Sequence, residues 1–468
     1  MGGLGSKDLL SQIVTIYGSA PNDFAWRHSD DRTMYHTTGL VVECHGKKYV
    51  ITTRSRMSSC QNLVAYHNSF SEREVMTRHH LSILFQSIEF NVLILGSVGK
   101  PEFDMELGQV ISGPDQNQIS KPLAYDILGS TLVLPAKPKG KRKVYYTVRM
   151  NVDLESDRYD TILYSVKFIR SIIHSKTYLP PNFMYEFELI KDKDEGEGSL
   201  TGICGSVIFN KVNNRHLLVG IISGCMGDEL LVLPTRVLAK VVNDFVRYID
   251  RPEDYAGMIS IPINPNLKIK CKYGPLNPDD KLLTVNGQKI WVEASTPMIN
   301  DPIYNSNIPL EIYLRVCSGP TIDLSISRSG QVIHYSISNC GGHESVLTAQ
   351  PSFFPENAIP YAKFGPVIIC QLTHELIDIT SMHKIKLGSD IVDEFIDSNL
   401  NQKLFVVIDC EKEMGTKYNL PQLEPGKKLR IASVSKVNNR QPQSLEDFRS
   451  IPQVLCLRMG EKNFEMKF

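Results

Sequence analysis

Apolar and polar positions alternate in short runs along this chain, and most of the apolar runs are only four to six residues long. They are rich in Val, Ile and Tyr, and Gly, Asn, Lys or Pro lie near most of their ends. Such runs predict short β-strands. The predicted strands are residues 13–17, 39–42, 49–52, 91–95, 145–149, 206–209 and 217–222. Many short strands without alternating long helices favour a sandwich or a barrel over a doubly wound sheet.

One segment, residues 237–249, has a different period. Its apolar residues recur every three or four positions, which predicts an amphipathic helix, and Pro252 follows as a stop signal. A helix that ends at a proline after a run of strands is a natural end for a domain. We therefore expect the first domain to end near residue 250.

Two later segments carry a strand–turn pattern. Residues 282–290 contain Asn286-Gly287 between two apolar runs, which is a strong hairpin signal. A weaker version has a strand at residues 429–434 and a turn at 438–439. It continues with a short helix N-capped by Ser444 and a last strand at residues 454–458. The two segments predict a repeated module in the second half.

The bulk properties narrow the classes of function. The chain has 468 residues, which predicts two to four domains, and its 42% hydrophobic and 22% charged content is typical of folded protein. Lys+Arg and Asp+Glu are both 51, so the net charge is zero. The chain therefore lacks the positive charge that would favour nucleic acid as a partner. No apolar run is long enough to span a bilayer, and no secretory signal is apparent.

The cysteine spacing and the glycosylation pattern bear on metal binding and on the cellular compartment. The ten Cys show no CxxC pairing and no His at zinc-ligand spacing, so we expect no metal and no cofactor. The chain also has no Asn-x-Ser/Thr glycosylation acceptor. A cytoplasmic or other reducing location, rather than secretion, is therefore the expectation.

Four segments follow one another along the chain in a distinctive order: residues 38–42 (TGLVV), 50–55 (VITTRS), 202–210 (GICGSVIFN) and 276–283 (LNPDDKLL). In this order they resemble segments of the HtrA/Deg protease family, and the chain is similar to the plant-type Deg proteases with two PDZ domains. The first two segments lie where the family has S-G-F-V-I and V-L-T-N-A-H. The third lies where it has G-N-S-G-G-P-V-F-N, and the fourth resembles its L-x-P-x-D-x-L-L signature.

The resemblance implies a mainly β protein, with a chymotrypsin-like double β-barrel followed by two PDZ-like α+β modules. The implied domains are a trypsin-like protease-homology domain at residues 1–250, a PDZ-like domain at 251–340, and a second with an extension at 341–468. Family analogy also implies a homo-oligomer, with polypeptide binding or self-association through the PDZ-like modules.

The same resemblance places Cys204, Ser55 and Asn91 at the nucleophile, base and orienter positions of a chymotrypsin-type site. Cysteine is a competent nucleophile and an Asn orienter is tolerated with a thiol. Ser55 is the serious departure, because a hydroxyl cannot accept and return a proton near neutral pH as histidine does. We therefore predict a degenerate triad and a catalytically impaired protease homologue that acts as a binding or assembly scaffold.

Two other functions stay open. An active endopeptidase would use Cys204 with a relocated histidine, for which His45, His67, His79 and His80 are the candidates. A structural or virion-associated protein is the second alternative. It is suggested by the Gly-x-Cys-Gly match to viral cysteine proteases and by the N-myristoylation pattern at Gly2. Contact with a membrane is expected only if Gly2 is acylated.

Two backbone features complete the predicted sites. The resemblance implies an oxyanion hole formed by main-chain N–H groups of Gly202 and Cys204. In the first PDZ-like module, Gly257, Met258 and Ile259 are the only match to a peptide-binding loop, and the usual Gly-Leu-Gly-apolar pattern is not visible there.

Overall fold

The structure is a computed structural model. It describes residues 13–21, 32–44, 47–54, 57–58, 60–68, 76–87, 89–97, 144–153, 158–174, 182–190, 202–212, 215–250, 261, 263–270, 274–301, 306–317, 321–338, 361–373, 376–377, 380, 391, 395, 403–410, 432–448, 454–459 and 462–467.

Six antiparallel strands close the first barrel in the order β1-β2-β3-β6-β5-β4. Pairing of β1 with β4 completes the ring, for example at Ile16 and Ala65. Inward-facing Val, Ile and Leu side chains fill the barrel. The strands are β1 (Ile13–Pro21), β2 (Arg32–Cys44), β3 (Lys47–Thr53), β4 (Gln61–Asn68), β5 (Met76–Ser87) and β6 (Val92–Ser97).

The second barrel repeats this winding. Its order is β10-β11-β12-β9-β8-β7, and β10 pairs with β7 to close it, so each barrel connects its six strands in the same sequence. The strands are β7 (Val144–Asp153), β8 (Arg158–His174), β9 (Asn182–Ile190), β10 (Val207–Val212), β11 (Arg215–Met226) and β12 (Glu229–Pro234). Two closed six-stranded antiparallel barrels confirm the predicted mainly β, chymotrypsin-like double barrel.

The predicted helix is α1 (Thr235–Asp250), slightly longer than the pattern suggested. Its buried side chains include Val237 and Phe245. The Phe245 ring lies 4.9 Å from that of Tyr49 and 5.9 Å from that of Phe85. The helix that follows the second barrel therefore packs back onto the first, which fixes the two barrels against each other.

A third sheet follows in the order β16-β15-β14-β13-β17-β18. Asn286 (φ 48) and Gly287 (φ 73) form the turn between β13 and β14, which confirms the predicted Asn-Gly hairpin because a two-residue turn of this type needs positive φ at both positions. The elements are β13 (Lys281–Val285), β14 (Gln288–Glu293), β15 (Thr296–Asp301), β16 (Ser306–Pro309), α2 (Leu310–Val316), β17 (Thr321–Arg328) and β18 (Gln331–Ser338).

The fourth sheet is a simple meander, β19 to β24 in chain order. The Phe448 ring packs 5.3 Å from Phe405 and 6.5 Å from Phe364 at its centre. Its strands are β19 (Tyr361–Phe364), β20 (Val367–Gln371), β21 (Phe405–Cys410), β22 (Ala432–Val437), β23 (Val454–Met459) and β24 (Lys462–Lys467), with a 3₁₀ helix at Leu445–Phe448. The third and fourth sheets share a strand count but not a winding, and their assignment as PDZ-like modules stays a prediction.

The cap of the short helix differs from the expected one. Asp447 Oδ2 accepts hydrogen bonds from the backbone N–H groups of Gln443 (2.7 Å) and Ser444 (2.9 Å). These bonds hold the pKa of Asp447 below its usual range. Ser444 thus occupies the position before the first helical residue and its carbonyl accepts the Asp447 N–H (3.3 Å), while the Asp447 carboxylate, rather than the Ser444 hydroxyl, is the side-chain acceptor seen at this helix start.

The second barrel and the third sheet share one continuous apolar cluster, to which Phe187 and Val232 contribute from the barrel and Leu282 from the sheet. At its edge, Arg236 of α1 pairs with Asp301 of β15, with their side chains 10% and 0% exposed. The barrel and the sheet are thus joined by apolar packing and by a buried ion pair.

Candidate functional site

The turn at residues 202–206 lies at the start of β10, where the two barrels meet. Gly202 and Gly205 both have φ of 81°, which favours glycine. A Cβ at Gly205 would lie 1.9 Å from the backbone oxygen of Thr38, and a Cβ at Gly202 would lie 2.3 Å from Cδ2 of His36. Both glycines are therefore required by conformation and by close approach to β2.

Strand β2 of the first barrel holds the turn from one side. The carbonyl of Cys204 accepts hydrogen bonds from the Thr38 N–H (3.0 Å) and from Thr37 Oγ1 (2.5 Å). Thr38 Oγ1 also donates to the carbonyl of Gly202 at 2.9 Å. Three bonds from two consecutive threonines thus fix the backbone on which Cys204 sits.

The second barrel holds the same turn from the other side. The Gly205 N–H donates to the carbonyl of Ile222 at 2.7 Å, and the Ile222 N–H donates to the carbonyl of Ser206 at 2.8 Å. Ser206 Oγ donates to the carbonyl of Val148 and lies 3.1 Å from Thr147 Oγ1. The turn is therefore bonded to β2, β7 and β11 together.

Asn91, predicted at the orienter position, lies in the turn before β6 and bridges the barrels. Its Nδ2 donates to Ser223 Oγ (3.2 Å) and approaches the Ser223 carbonyl (3.4 Å) on β11. Its own carbonyl accepts from the N–H of Arg54 at 2.9 Å. Ser55, the predicted base position, comes directly after Arg54 and lies outside the described residues.

The Cys204 side chain meets a second thiol, that of Cys225 on β11. The two side chains are hydrogen-bonded, and this bond lowers the pKa of Cys225 to about 7 against the opposing effect of its partial burial. Cys225 is exposed and Cys204 is half-buried. The contact therefore gives Cys225 thiolate character near neutral pH.

A histidine that the sequence reasoning did not consider, His36, lies at this site. It is on β2, its ring is stacked on Tyr17 at 5.4 Å, and it contacts the backbone of Gly202, two residues before Cys204. Its position could have been read from the sequence, since it precedes by two residues the 38–42 strand that the family resemblance had aligned.

The histidines that were considered are placed elsewhere or are not described. His79 and His80 lie on β5, three strands from β2 around the closed barrel. Burial lowers the pKa of His79. His45 and the side chain of His67 lie outside the described part of the chain.

The remaining predicted site residues are not tested. Gly2, Gly257, Met258 and Ile259 all lie outside the described residues. Among the residues that are described, no three metal-ligating side chains cluster. None of the described helices is long and apolar enough to cross a membrane.

Taken together, two closed barrels and a Gly-x-Cys-Gly turn held between them define a chymotrypsin-like double-barrel protein. The chain is 27% identical over 465 residues to "Uncharacterized protein R367" of Acanthamoeba polyphaga mimivirus, covering 95% of this chain and 94% of that one. The solved structure of the HtrA-type protease AlgW with a decapeptide matches 71% of this chain and 96% of its own, at 11% identity and a TM-score of 0.38. No family model matches.

Proposed function

We propose that the chain is an HtrA/Deg-type protease homologue that is catalytically impaired and acts as a binding or assembly scaffold. The order of its motifs along the sequence supports the family, and the double barrel supports the protease fold. Fold does not determine activity, so the proposal depends on the chemistry at residue 204.

The hydrogen bond between the two thiols is the observation that carries this proposal. A cysteine nucleophile attacks as the thiolate, and a neighbouring base must take its proton. Here the hydrogen bond between the two side chains lowers the pKa of Cys225 to about 7. This contact gives thiolate character to Cys225, a residue that is not at the nucleophile position.

The orienter position supports the same conclusion. An orienting group must accept a hydrogen bond from the imidazole and stabilise the imidazolium that forms. The Asn91 side chain carries no negative charge, and its amide group is engaged as a donor to Ser223. It therefore offers less stabilisation to a cationic base than a carboxylate would.

Cleavage of unfolded casein tests impairment directly. We expect no thiol-dependent cleavage above background for the full chain, and the same result for Cys204→Ala. Cys456→Ala is a matched control, since Cys456 is also a half-buried thiol but lies on β23. Cleavage that is lost in Cys204→Ala and kept in Cys456→Ala would overturn the proposal.

Scaffold function requires an assembled state. We propose that the third and fourth sheets are PDZ-like modules that mediate self-association or polypeptide binding. Sedimentation velocity on the full chain is expected to show a concentration-dependent homo-oligomer. A monomer at all concentrations, with no binding to unfolded polypeptide, would contradict the scaffold role.

The contact between His36 and Gly202 favours a second candidate, an active cysteine endopeptidase in which His36 is the relocated base. This function predicts casein cleavage that is lost in both Cys204→Ala and His36→Gln and kept in His80→Gln. The control residue His80 is exposed and lies on the opposite wall of the first barrel. Loss in Cys204→Ala alone would exclude His36 as the base.

A structural or virion-associated role is a third candidate, favoured by similarity to a mimivirus protein over 95% of the chain. Acylation of Gly2 would give such a protein weak, reversible membrane contact. Intact-mass measurement after expression in a myristoylation-competent host tests this, because an unmodified N-terminus would exclude the lipid.

A further inference from the structure

Backbone bonds place two thiols side by side where the turn meets β11. The Gly205 N–H bonds to the carbonyl of Ile222, three residues before Cys225 on the same strand. Between Ile222 and Gly224 the pairing of β11 with β12 shifts by one residue, and it resumes with Gly224 opposite Leu231 and Cys225 opposite Leu230. Such a bulge re-aims the side chains next to it. Cys225 consequently contacts the side chain of Cys204, although 20 residues separate them.

Both thiols are accessible, in contrast to most others in the described chain. Cys225 is exposed and Cys204 is half-buried, whereas Cys60, Cys317 and Cys370 are buried. Burial raises the pKa of Cys317 to about 11 and raises that of Cys370 further, so these thiols stay protonated. Reaction with a soluble oxidant requires both an exposed sulfur and thiolate character, and Cys225 has both.

We propose that Cys204 and Cys225 form a redox-active dithiol that is converted to a disulfide by a hydroperoxide or by a small soluble disulfide. Cys225 is the attacking sulfur, and Cys204 is the resolving one. This reaction does not depend on whether the chain cleaves peptides.

The steps balance for either oxidant. With hydrogen peroxide, the Cys225 thiolate attacks one oxygen, the O–O bond breaks, and Cys225 sulfenic acid and hydroxide form. The hydroxide takes up the proton that the Cys225 thiol had released to solvent and becomes water. The Cys204 sulfur then attacks the Cys225 sulfur, its proton leaves with the departing hydroxide as a second water, and the S–S bond forms. With a small disulfide, Cys225 forms a mixed disulfide, Cys204 displaces the bound half, and two small thiols are released.

Oxidation would convert the Cys204 thiol, the candidate nucleophile, into one half of a disulfide, so it could no longer attack a peptide bond. A disulfide between these residues would also tie the turn to β11 covalently, beside the existing bonds to Ile222. The site would thus have two chemical states, an open dithiol and a closed disulfide, that exchange with the redox poise of the surroundings.

The first experiment maps the bond. The reduced full chain is treated with equimolar hydrogen peroxide, or with oxidised glutathione, then alkylated, digested without reductant and analysed by mass spectrometry. We expect a linked peptide pair containing Cys204 and Cys225 that has lost two hydrogens. This linked pair should be absent from Cys204→Ser and from Cys225→Ser and unchanged in Cys456→Ser. Serine is used because it is similar in size to cysteine, so the variants should still fold.

A second experiment tests the order of attack. The thiolate is the reactive form, so a pKa near 7 predicts that alkylation of Cys225 by iodoacetamide reaches half its maximal rate near pH 7. Cys204→Ala removes the hydrogen-bond partner of Cys225, and the midpoint should rise toward the ordinary thiol value of about 8.5.

Three results would overturn the proposal. One is independent oxidation of the two thiols to higher acids without a linked peptide. Another is a disulfide from Cys204 to some other cysteine that persists in Cys225→Ser. The third is an alkylation midpoint that is the same in the wild-type chain and in Cys204→Ala. Casein cleavage is measured separately, so failure of the protease-homologue proposal would not be confused with failure of this one.

Discussion

Neutralising Asp301 should markedly lower the temperature at which the second barrel and the third sheet unfold. Asp301 is fully buried in β15 and pairs with Arg236 of α1, whose side chain is 10% exposed. The guanidinium also lies over the ring of Tyr313, with its carbon 5.7 Å from the ring centroid. Asp301→Asn keeps the volume but removes the charge, and Arg236 cannot lose its proton in response.

The size of the expected decrease in Tm follows from the burial of this ion pair. Removing one partner of a buried ion pair costs about 3–5 kcal/mol, because the remaining charge is desolvated without compensation. The second barrel and third sheet share one apolar cluster, so we treat them as one cooperative unit of the size for which 1 kcal/mol corresponds to roughly 2–4 °C. The expected decrease in Tm is therefore roughly 6–20 °C.

The chain offers a matched control in Lys268 and Asp279. Their atoms are 3.5 Å apart, but their side chains are 47% and 81% exposed. Asp279→Asn should cost at most about 1 kcal/mol, or roughly 4 °C, because water screens an exposed pair. Differential scanning calorimetry of both variants makes the comparison.

A double variant separates charge from packing. Replacing Arg236 with Met and Asp301 with Leu removes both charges, and most of the lost Tm should return, since buried apolar pairs replace buried ion pairs at little cost. A decrease for Asp301→Asn no larger than that for Asp279→Asn would refute the reasoning. Failure of the double variant to recover would show that packing geometry, rather than an unpaired charge, causes the loss.

Three further outcomes are expected. Phe448→Ala should cost about 3–5 kcal/mol in urea denaturation, because its ring fills the core of the fourth sheet. Gly205→Ala should lower Tm more than Gly227→Ala, since both have positive φ but only at Gly205 would the Cβ meet a carbonyl of β2. The ion pair with Arg328 lowers the pKa of Asp280, so it stabilises the fold above the unfolded-state pKa of about 3.9, and the Tm deficit of Asp280→Asn should shrink as pH falls below that value.

Local signals predicted the fold where a segment's own sequence determines its structure. The spacing of apolar residues in 237–249 predicted α1 to within two residues at each end. The Asn286-Gly287 pair predicted a hairpin that the structure confirms. The long strand β8 was not predicted. Its stability depends on pairing with β7 and β9 rather than on a regular alternation of its own, since several of its apolar residues, such as Leu163, are exposed.

The site was predictable only in part, for a similar reason. Motif order placed Cys204 in a Gly-rich turn and Asn91 beside β6, and both lie at the junction of the barrels. His36, Ser223 and Cys225 were not predicted, because closure of two barrels brings them there from distant strands. The position of Cys225 also depends on a bulge in β11, which the residue pattern of that strand does not predict.

The bonds around the turn give it a structural role that does not depend on proteolysis. Its backbone is joined to β2 through Thr38 and to β11 through Ile222, so the turn is part of the contact between the barrels. A substitution at Gly205 therefore acts on stability whatever the chemistry of the site. The bonds from Thr37 and Thr38 reach the backbone carbonyl of residue 204, whereas its side chain contacts Cys225. Changes at residue 204 should therefore alter thiol chemistry while leaving the fold nearly unchanged, and this separation makes the Cys204 variants informative about function.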